Sequence, residues 1–280
     1  AHSASAGAPV SNGLSPELLT RYAGPCPRYT SYPTADRFKA LDTNRTTSDS
    51  GEARKPWDAL QDINTLSLYV HIPFCRSLCY FCACNKVITQ QYGLASSYLE
   101  RVLTEAQWYR QKVARVPVTQ LHLGGGTPTY LNDGDLTRLV QGLGEIFELT
   151  PGDEAEYSVE ADPRVLAPET LDTLRGLGFN RLSMGIQDFN PDVQRAINRI
   201  CSPQQVRALT EAARARGFGS ISYDLIYGLP GQDVASLERT IDTVVGLAPD
   251  RIALYHYAHL PHRFKAQRLI DSDLMPSPSE

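Results

Sequence analysis

The chain has 280 residues, of which 42% are hydrophobic and 21% are charged, and its net charge is −4. These values are ordinary for a globular protein with a large core, and the negative charge argues against a nucleic-acid partner. No apolar run approaches the roughly 18 residues of a membrane span, and no secretory signal is recognisable, so we expect a cytoplasmic protein without a membrane span.

The first 65 residues show little regular pattern. Residues 1–14 are rich in Ala, Ser and Gly and predict a disordered tail. A Ser-Pro pair opens a short predicted helix over residues 15–22. Residues 27–34 are rich in aromatic residues and predict an extended segment, and residues 40–56 are polar without an apolar pattern. We therefore expect an N-terminal arm and surface loop over residues 15–65.

From residue 66 onward, β-type runs alternate with helical patterns. The six runs are Leu66–Ile72, Gln120–Gly124, Ala155–Ala161, Arg181–Ile186, Ile221–Tyr227 and Arg251–Tyr257. The helical patterns cover about residues 94–115, 134–148, 168–177, 191–198, 203–216 and 234–247. Such alternation predicts a parallel sheet with right-handed crossovers. The predicted fold over residues 66–280 is therefore α/β, an open (βα)6 three-quarter barrel.

Chemically active residues or glycines follow the predicted strands. In chain order these are a cysteine cluster, Gly124–Thr129, Glu160 with Asp162, Gln187 with Asp188, Asp224 with residues 227–230, and residues 257–261. In barrels of this kind the carboxyl ends of the strands meet at one face and carry the chemistry. We therefore expect these segments to surround a common pocket.

The cysteine cluster consists of Cys75, Cys79 and Cys82 in a C-x3-C-x2-C spacing, with Cys84 just beyond. Three thiolates on one loop can bind three irons of a [4Fe–4S] cluster and leave the fourth iron free for another ligand. A zinc site usually has four protein ligands in separated pairs, and a disulfide framework needs an oxidising compartment and a small domain. An iron–sulfur cluster is therefore the preferred interpretation.

A family resemblance rests on the sequence motif of residues 69–86, which runs from Tyr-Val-His-Ile-Pro-Phe-Cys to Cys-Tyr-Phe-Cys-Ala-Cys-Asn-Lys. It resembles the oxygen-independent coproporphyrinogen III oxidases, which are radical S-adenosylmethionine (SAM) enzymes of haem biosynthesis. The resemblance runs from about Pro27 to the end of the chain. It implies a [4Fe–4S] cluster on Cys75, Cys79 and Cys82. It leaves Cys84 out of the ligand set, because a fourth thiolate would take the coordination position on the fourth iron that SAM must bind.

The resemblance also implies two bound SAM molecules. It assigns Tyr69, Gly125 and Glu160, with the cluster, to the first. It assigns seven residues to the second: Phe81, Gly126, Thr127, Gln187, Arg199, Asp224 and Ala258. No residue is assigned as a catalytic acid or base, since the first step is a radical step.

The activity implied by the resemblance is the oxidative decarboxylation of two propionates of coproporphyrinogen III to vinyl groups, which gives protoporphyrinogen IX. An electron donor of unidentified kind would reduce the cluster, and a monomer is expected. By comparison with the resembled family we expect these 280 residues to lack the family's C-terminal domain, so weak or absent turnover is expected. The alternatives are a radical SAM-like haem chaperone, a radical enzyme for another substrate, and an inactive truncated relative.

Overall fold

The computed structural model describes Ser15, Glu17, Arg21, residues 63–152 and residues 154–277. Contacts separate the chain into two units, residues 1–53 and 54–280. In the first unit Glu17 and Arg21 are helical, as the sequence predicts.

The other predictions for the N-terminal region lie outside the described residues. These are the disordered tail at residues 1–14, the arm at residues 27–34 and the loop at residues 40–56. The domain bounds drawn from the sequence stay a prediction.

The second unit alternates strands and helices. Its strands are β1 (Leu66–Ile72), β2 (Phe74–Cys75), β3 (Val87–Ile88), β4 (Pro117–Gly125), β5 (Glu148–Leu149), β6 (Glu156–Ala161), β7 (Arg181–Gln187), β8 (Ser220–Tyr227) and β9 (Arg251–His256). Its helices are α1 (Gly93–Arg110), α2 (Asp133–Ile146), α3 (Thr170–Gly176), α4 (Pro191–Ala196), α5 (Pro203–Ala215) and α6 (Val234–Leu247). Short 3-10 segments lie at Pro128–Tyr130, Lys265–Leu269 and Ser272–Leu274.

The six long strands form one parallel sheet in chain order, β1-β4-β6-β7-β8-β9, and the short β5 pairs with β4. Within the part of the chain that the structure describes, β1 and β9 are the edges of this sheet. The predicted α/β class with an open (βα)6 order is therefore confirmed. All six predicted runs and all six helical patterns coincide with observed elements.

The two faces of the sheet differ in polarity because successive strand residues point to opposite sides. Tyr157, Val159, Leu182, Met184 and Tyr223 are buried in one apolar cluster that also contains side chains of α1, α2, α3, α5 and α6. The alternate positions carry polar side chains, among them Ser158, Glu160, Ser183 and Asp224. The polar face is the one on which a site can be built.

Local signals in the sequence start several helices. Asn132 caps α2 by accepting from the N–H of Asp135. Ser202 and Asp233 open α5 and α6 with reciprocal capping boxes. Each such cap satisfies N–H groups that have no partner inside the helix, and replacing one costs roughly 1 kcal/mol. Among the described residues, no helix combines the length and apolar character needed to cross a membrane.

Candidate functional site

A cavity of about 250 Å³ lies at the carboxyl ends of the central strands. Eleven of the predicted site residues line it: Cys75, Cys79, Phe81, Cys82, Gly125, Gly126, Thr127, Glu160, Gln187, Arg199 and Asp224. Two do not. Tyr69 is 59% exposed on β1, and Ala258 follows β9, where its carbonyl accepts from Gln267. Residues of β4, β6, β7, β8 and the cysteine loop therefore meet at one place, as the alternation predicted, whereas residues 227–230 and 257–261, which were expected around the same pocket, do not line this cavity.

The loop that carries the cysteines is closed at its base by β2 and β3, which pair in parallel. The N–H of Val87 donates to the carbonyl of Pro73 at 2.8 Å. The Nζ of Lys86 donates to the carbonyls of Cys82 and Cys84 at 2.9 and 3.4 Å. The ends of the loop are thus fixed beside the end of β1, which holds the first cysteine at the cavity.

The far side of the same loop is held by the segment after α4. The N–H of Tyr80 donates to the carbonyl of Ile197 at 3.0 Å, and the side-chain amide of Asn198 donates to the carbonyl of Leu78 at 2.7 Å. These bonds join positions about 120 residues apart. They set the position of the second cysteine, Cys79, which is buried.

The Sγ of Cys79 accepts hydrogen bonds from two guanidinium groups. The Nη2 of Arg164 and the Nη1 of Arg199 each lie 3.4 Å from it. Asp162 joins the two arginines, because its Oδ2 is 2.6 Å from Arg164 Nη2 and 3.2 Å from Arg199 Nη1. Burial alone would raise the pKa of Asp162, but the hydrogen bonds and charges of the two arginines outweigh it and hold that pKa below its ordinary value. The carboxylate is therefore ionised and anchors both cations.

The donors of Arg199 are already used within the protein. Besides Asp162 and Cys79, its Nε and Nη2 donate to the carbonyl of Gly185 at 2.8 and 2.5 Å. The structure places this side chain, only 9% exposed, between β7 and the cysteine loop.

The other cysteines have different surroundings. The Sγ of Cys75 lies 3.5 Å from the hydroxyl of Thr127, and burial raises the pKa of Cys75 despite that hydrogen bond. A hydrogen bond from Cys84 lowers the pKa of Cys82, and the same bond raises the pKa of Cys84. Cys82 therefore ionises before Cys84, which is the more exposed of the two.

Glycines form the rim of the cavity at the end of β4. Gly125 has a φ of +119°, and a Cβ there would lie 2.7 Å from the ring of His71. Its N–H donates to Oε2 of Glu160 at 3.0 Å. Only glycine adopts this conformation without strain, so the backbone N–H of the rim is presented to the carboxylate.

Glu160 is held from a second side. Its Oε1 lies 3.2 Å from Nε2 of His122, whose Nδ1 is 2.6 Å from the hydroxyl of Ser158. The carboxylate therefore has a fixed orientation at the end of β6. With 42% of the side chain exposed, Glu160 remains accessible to accept from a hydroxyl or ammonium group in the cavity.

Two further predicted residues lie on β7 and β8. Gln187 has a φ of +72° and follows an irregularity in the pairing of β7 with β8, a feature that redirects side chains near functional sites. Asp224 accepts from the hydroxyl of Ser183 at 3.1 Å. The pKa of Asp224 is raised to about 6, chiefly by burial and further by the nearby Glu160, while the Ser183 hydrogen bond opposes the shift.

The sequence did not single out several residues of the cavity, among them Arg76, Arg164 and Gly185. Asp162 stood in a segment that the sequence did mark, two residues after Glu160, but nothing in the spacing indicates that Arg164 reaches a cysteine 85 positions earlier.

Among residues 63–152 and 154–277, no three His, Cys, Asp or Glu side chains are arranged to hold a single metal ion. A four-iron cube makes a different demand, because each thiolate binds its own iron.

Comparison with known proteins gives a consistent family. The sequence profile of the radical SAM superfamily matches residues 69–244. The chain is 46% identical to the oxygen-independent coproporphyrinogen III oxidase of Pseudomonas aeruginosa, over 94% of this chain and 56% of that protein. It is also 46% identical to the Escherichia coli protein of the same name, with the same two shares.

A solved structure agrees. It is described as coproporphyrinogen III oxidase from Escherichia coli, a radical SAM enzyme, and matches with a TM-score of 0.81 and 45% identity. The match covers 94% of this chain and 57% of that one. The chain therefore spans somewhat more than half the length of the relatives it matches.

Proposed function

The chain belongs to the radical SAM superfamily, and from that membership we propose that it performs the chemistry of an oxygen-independent coproporphyrinogen III oxidase. The proposed reaction is the oxidative decarboxylation of two propionates of coproporphyrinogen III to vinyl groups, which yields protoporphyrinogen IX. The observation that carries the proposal is the convergence of three thiols, a glycine rim and Glu160 on one cavity in a chain 46% identical to proteins of that name. The relatives' names favour this activity over that of a haem chaperone.

The residues present fit a [4Fe–4S] cluster. Cys75, Cys79 and Cys82 all line the cavity, and two guanidinium groups donate to the Sγ of Cys79. A Cβ at Gly126 would lie 3.0 Å from the Sγ of Cys75, so the missing side chain leaves room beside that sulfur. Cys84 is the most exposed of the four thiols in this loop, in keeping with a ligand set that excludes it.

The rim and Glu160 fit the polar end of SAM. Gly125 and Gly126 allow a ligand to approach the backbone closely, and Glu160, oriented by Gly125 and His122, accepts from an ammonium or a ribose hydroxyl. When bound, the cluster and SAM supply a carbon radical that removes a hydrogen atom from the substrate propionate. The protein's part is to hold both groups and to keep the radical away from water.

A second SAM molecule belongs to the proposal on the strength of the resemblance. Phe81, Gln187 and Asp224 line the same cavity, which supports their assignment to this second molecule. Arg199 contributes there by shaping the wall, because its donors are bound to Gly185, Asp162 and Cys79. An electron donor of unidentified kind, a monomeric state and a cytoplasmic location complete the proposal.

Anaerobic reconstitution tests this function in three steps. Iron and sulfide per chain report the cluster, and release of 5′-deoxyadenosine from SAM under dithionite reports radical chemistry. Mass analysis of the porphyrin after incubation with coproporphyrinogen III reports decarboxylation. Cys82→Ser is the negative control for all three.

The steps separate the alternatives. A cluster that cleaves SAM without forming any vinyl product would overturn the substrate assignment but not the superfamily chemistry. Stable haem binding without decarboxylation would instead identify a haem chaperone. Equilibrium dialysis with SAM counts the bound molecules per cluster, and a value of one would remove the second from the proposal.

A further inference from the structure

The structure carries an inference about how the cluster is tuned, which rests on the proposed function. We propose that Arg164, fixed by Asp162, is a positioning residue that donates to the Cys79 thiolate and thereby raises the reduction potential of the [4Fe–4S] cluster. Neither the superfamily motif nor the resemblance assigns a role to Arg164 or Asp162.

The guanidinium of Arg164 is held on three sides. Its Nε and Nη2 form a bidentate pair with Asp162, at 2.9 Å to Oδ1 and 2.6 Å to Oδ2. Its Nη1 donates to the carbonyl of Asn198 at 3.2 Å. Its Nη2 also donates to the Sγ of Cys79 at 3.4 Å. The side chain is only 17% exposed, so water competes weakly for these donors.

Asp162 gives this arrangement its rigidity. Its side chain is 8% exposed and also binds Arg199 Nη1, which is the second donor to Cys79. Two cations and one carboxylate leave a net positive charge beside a single sulfur. By contrast, the hydrogen bond found at Cys75 comes from the neutral hydroxyl of Thr127. The three thiolates are therefore placed in unequal electrostatic surroundings.

Hydrogen bonds to the sulfurs and nearby charge are among the factors that set the potential of an iron–sulfur cluster. Reduction adds negative charge to the cluster, so a fixed cation at a ligating sulfur stabilises the reduced form more than the oxidised form. In a buried setting this interaction is stronger than in water. Arg164 therefore favours the electron uptake that must precede SAM cleavage.

The test is an anaerobic redox titration of the reconstituted, SAM-free protein, followed by electron paramagnetic resonance. For Arg164→Gln we expect the equilibrium constant for one-electron reduction to fall by roughly tenfold, which is about 59 mV toward lower potential. Arg164→Lys keeps the charge but cannot bind Asp162 and Cys79 with the same fork, so its potential should lie between the two.

Arg216→Gln is the matched control. Arg216 also pairs with a carboxylate through two donors, at 2.7 and 2.9 Å to Asp172, but on the surface and outside the cavity lining. The same charge change there should leave the potential at the wild-type value.

The outcomes separate this inference from the function on which it rests. A cluster that assembles in Arg164→Gln with an unchanged potential overturns the inference and leaves the function standing. If the wild type assembles no [4Fe–4S] cluster, both fail. If Arg164→Gln does not retain a cluster, Arg164→Lys decides: a potential below the wild type supports the inference, and an equal one overturns it.

Discussion

Gly126 approaches Cys75 so closely that a methyl group on its Cα would lie 3.0 Å from the Sγ of that cysteine. The same methyl group would lie 2.6 Å from the carbonyl oxygen of Pro73. The N–H of Gly126 donates to the carbonyl of Ile72 at 2.9 Å, so its backbone cannot move away without breaking that bond. The position of the first cysteine thus depends on a missing side chain more than fifty residues later.

Gly126→Ala should therefore disturb the cysteine loop. Backbone atoms are the nearest obstacles, and they yield less easily than the end of a flexible side chain. We expect a loss of about 1 to 3 kcal/mol in the free energy of unfolding of the cluster-free protein. Iron content after reconstitution should fall as well. Denaturant titration and iron analysis measure the two effects.

Gly144→Ala is the matched control for that substitution. Gly144 lies inside α2, and a Cβ there would meet its nearest neighbour, Leu149, at 3.7 Å. Alanine is favoured over glycine in a helix by roughly 1 kcal/mol, so this variant should be slightly more stable than the wild type. A Gly126→Ala protein that equals the wild type in stability and iron content would contradict the packing argument.

Cys82 and Cys84 should respond differently to replacement by serine. Both line the cavity, but the hydrogen bond between them lowers the pKa of Cys82 and raises that of Cys84. Cys82→Ser should abolish the cluster, whereas Cys84→Ser should retain four irons and SAM cleavage. Iron and sulfide analysis with electron paramagnetic resonance distinguishes the cases. Loss of the fourth iron in Cys84→Ser would make Cys84 a ligand and refute the open-iron assignment.

The fold was predictable because its signals are local and repeated. Each strand–helix unit carries its own apolar run and, at α5 and α6, its own capping residues, Ser202 and Asp233. The pairing of β2 with β3 was missed because two-residue strands have no periodicity to detect. The end of α1 was placed five residues too late; the side chain of Arg110 donates to the carbonyls of Val113 and Ala114, which follow the helix.

The site was predictable in part for a related reason. A parallel sheet in chain order brings strand ends together, so residues such as Gly125 and Asp224 meet without any knowledge of contacts. Which acceptors the hydrogen-bond donors of a side chain reach depends on neighbours that are distant in sequence. Arg199 is engaged by Gly185, Asp162 and Cys79, and no spacing rule indicates that.

Asp224 predicts a pH dependence of stability. Its pKa is raised from 3.8 to about 6, chiefly by burial and in part by Glu160. The hydrogen bond from Ser183 and the charges of Arg199 and His122 oppose it. Between about pH 4 and 6 the folded state therefore binds more protons than the unfolded state, so stability falls as pH rises through that window. The loss is up to about 3 kcal/mol for this shift.

Asp224→Asn removes the titrating group and should flatten this fall, which denaturant midpoints of the cluster-free protein at pH 4 and 7 will show. Asp172→Asn provides the opposite case. The hydrogen bond from Arg216 lowers the pKa of Asp172. The ionised carboxylate of Asp172 therefore stabilises the fold above the ordinary pKa of an aspartate, and this stabilisation is lost as pH falls. An Asp224→Asn protein whose stability depends on pH as the wild type's does would show that burial does not raise the pKa of Asp224.

Gln187 combines a predicted ligand role with an unfavourable backbone, which two substitutions can separate. A left-handed φ of +72° costs a residue with a Cβ about 1 to 2 kcal/mol, and glycine avoids that cost but has greater freedom in the unfolded chain. Both Gln187→Ala and Gln187→Gly remove the side chain and should weaken SAM binding equally. Gln187→Gly should be the more stable by roughly 0.5 to 1 kcal/mol, measured by denaturant titration without the cluster. Equal stabilities would mean that the turn after β7 relaxes when the side chain is removed, and that its strain is not stored in the backbone.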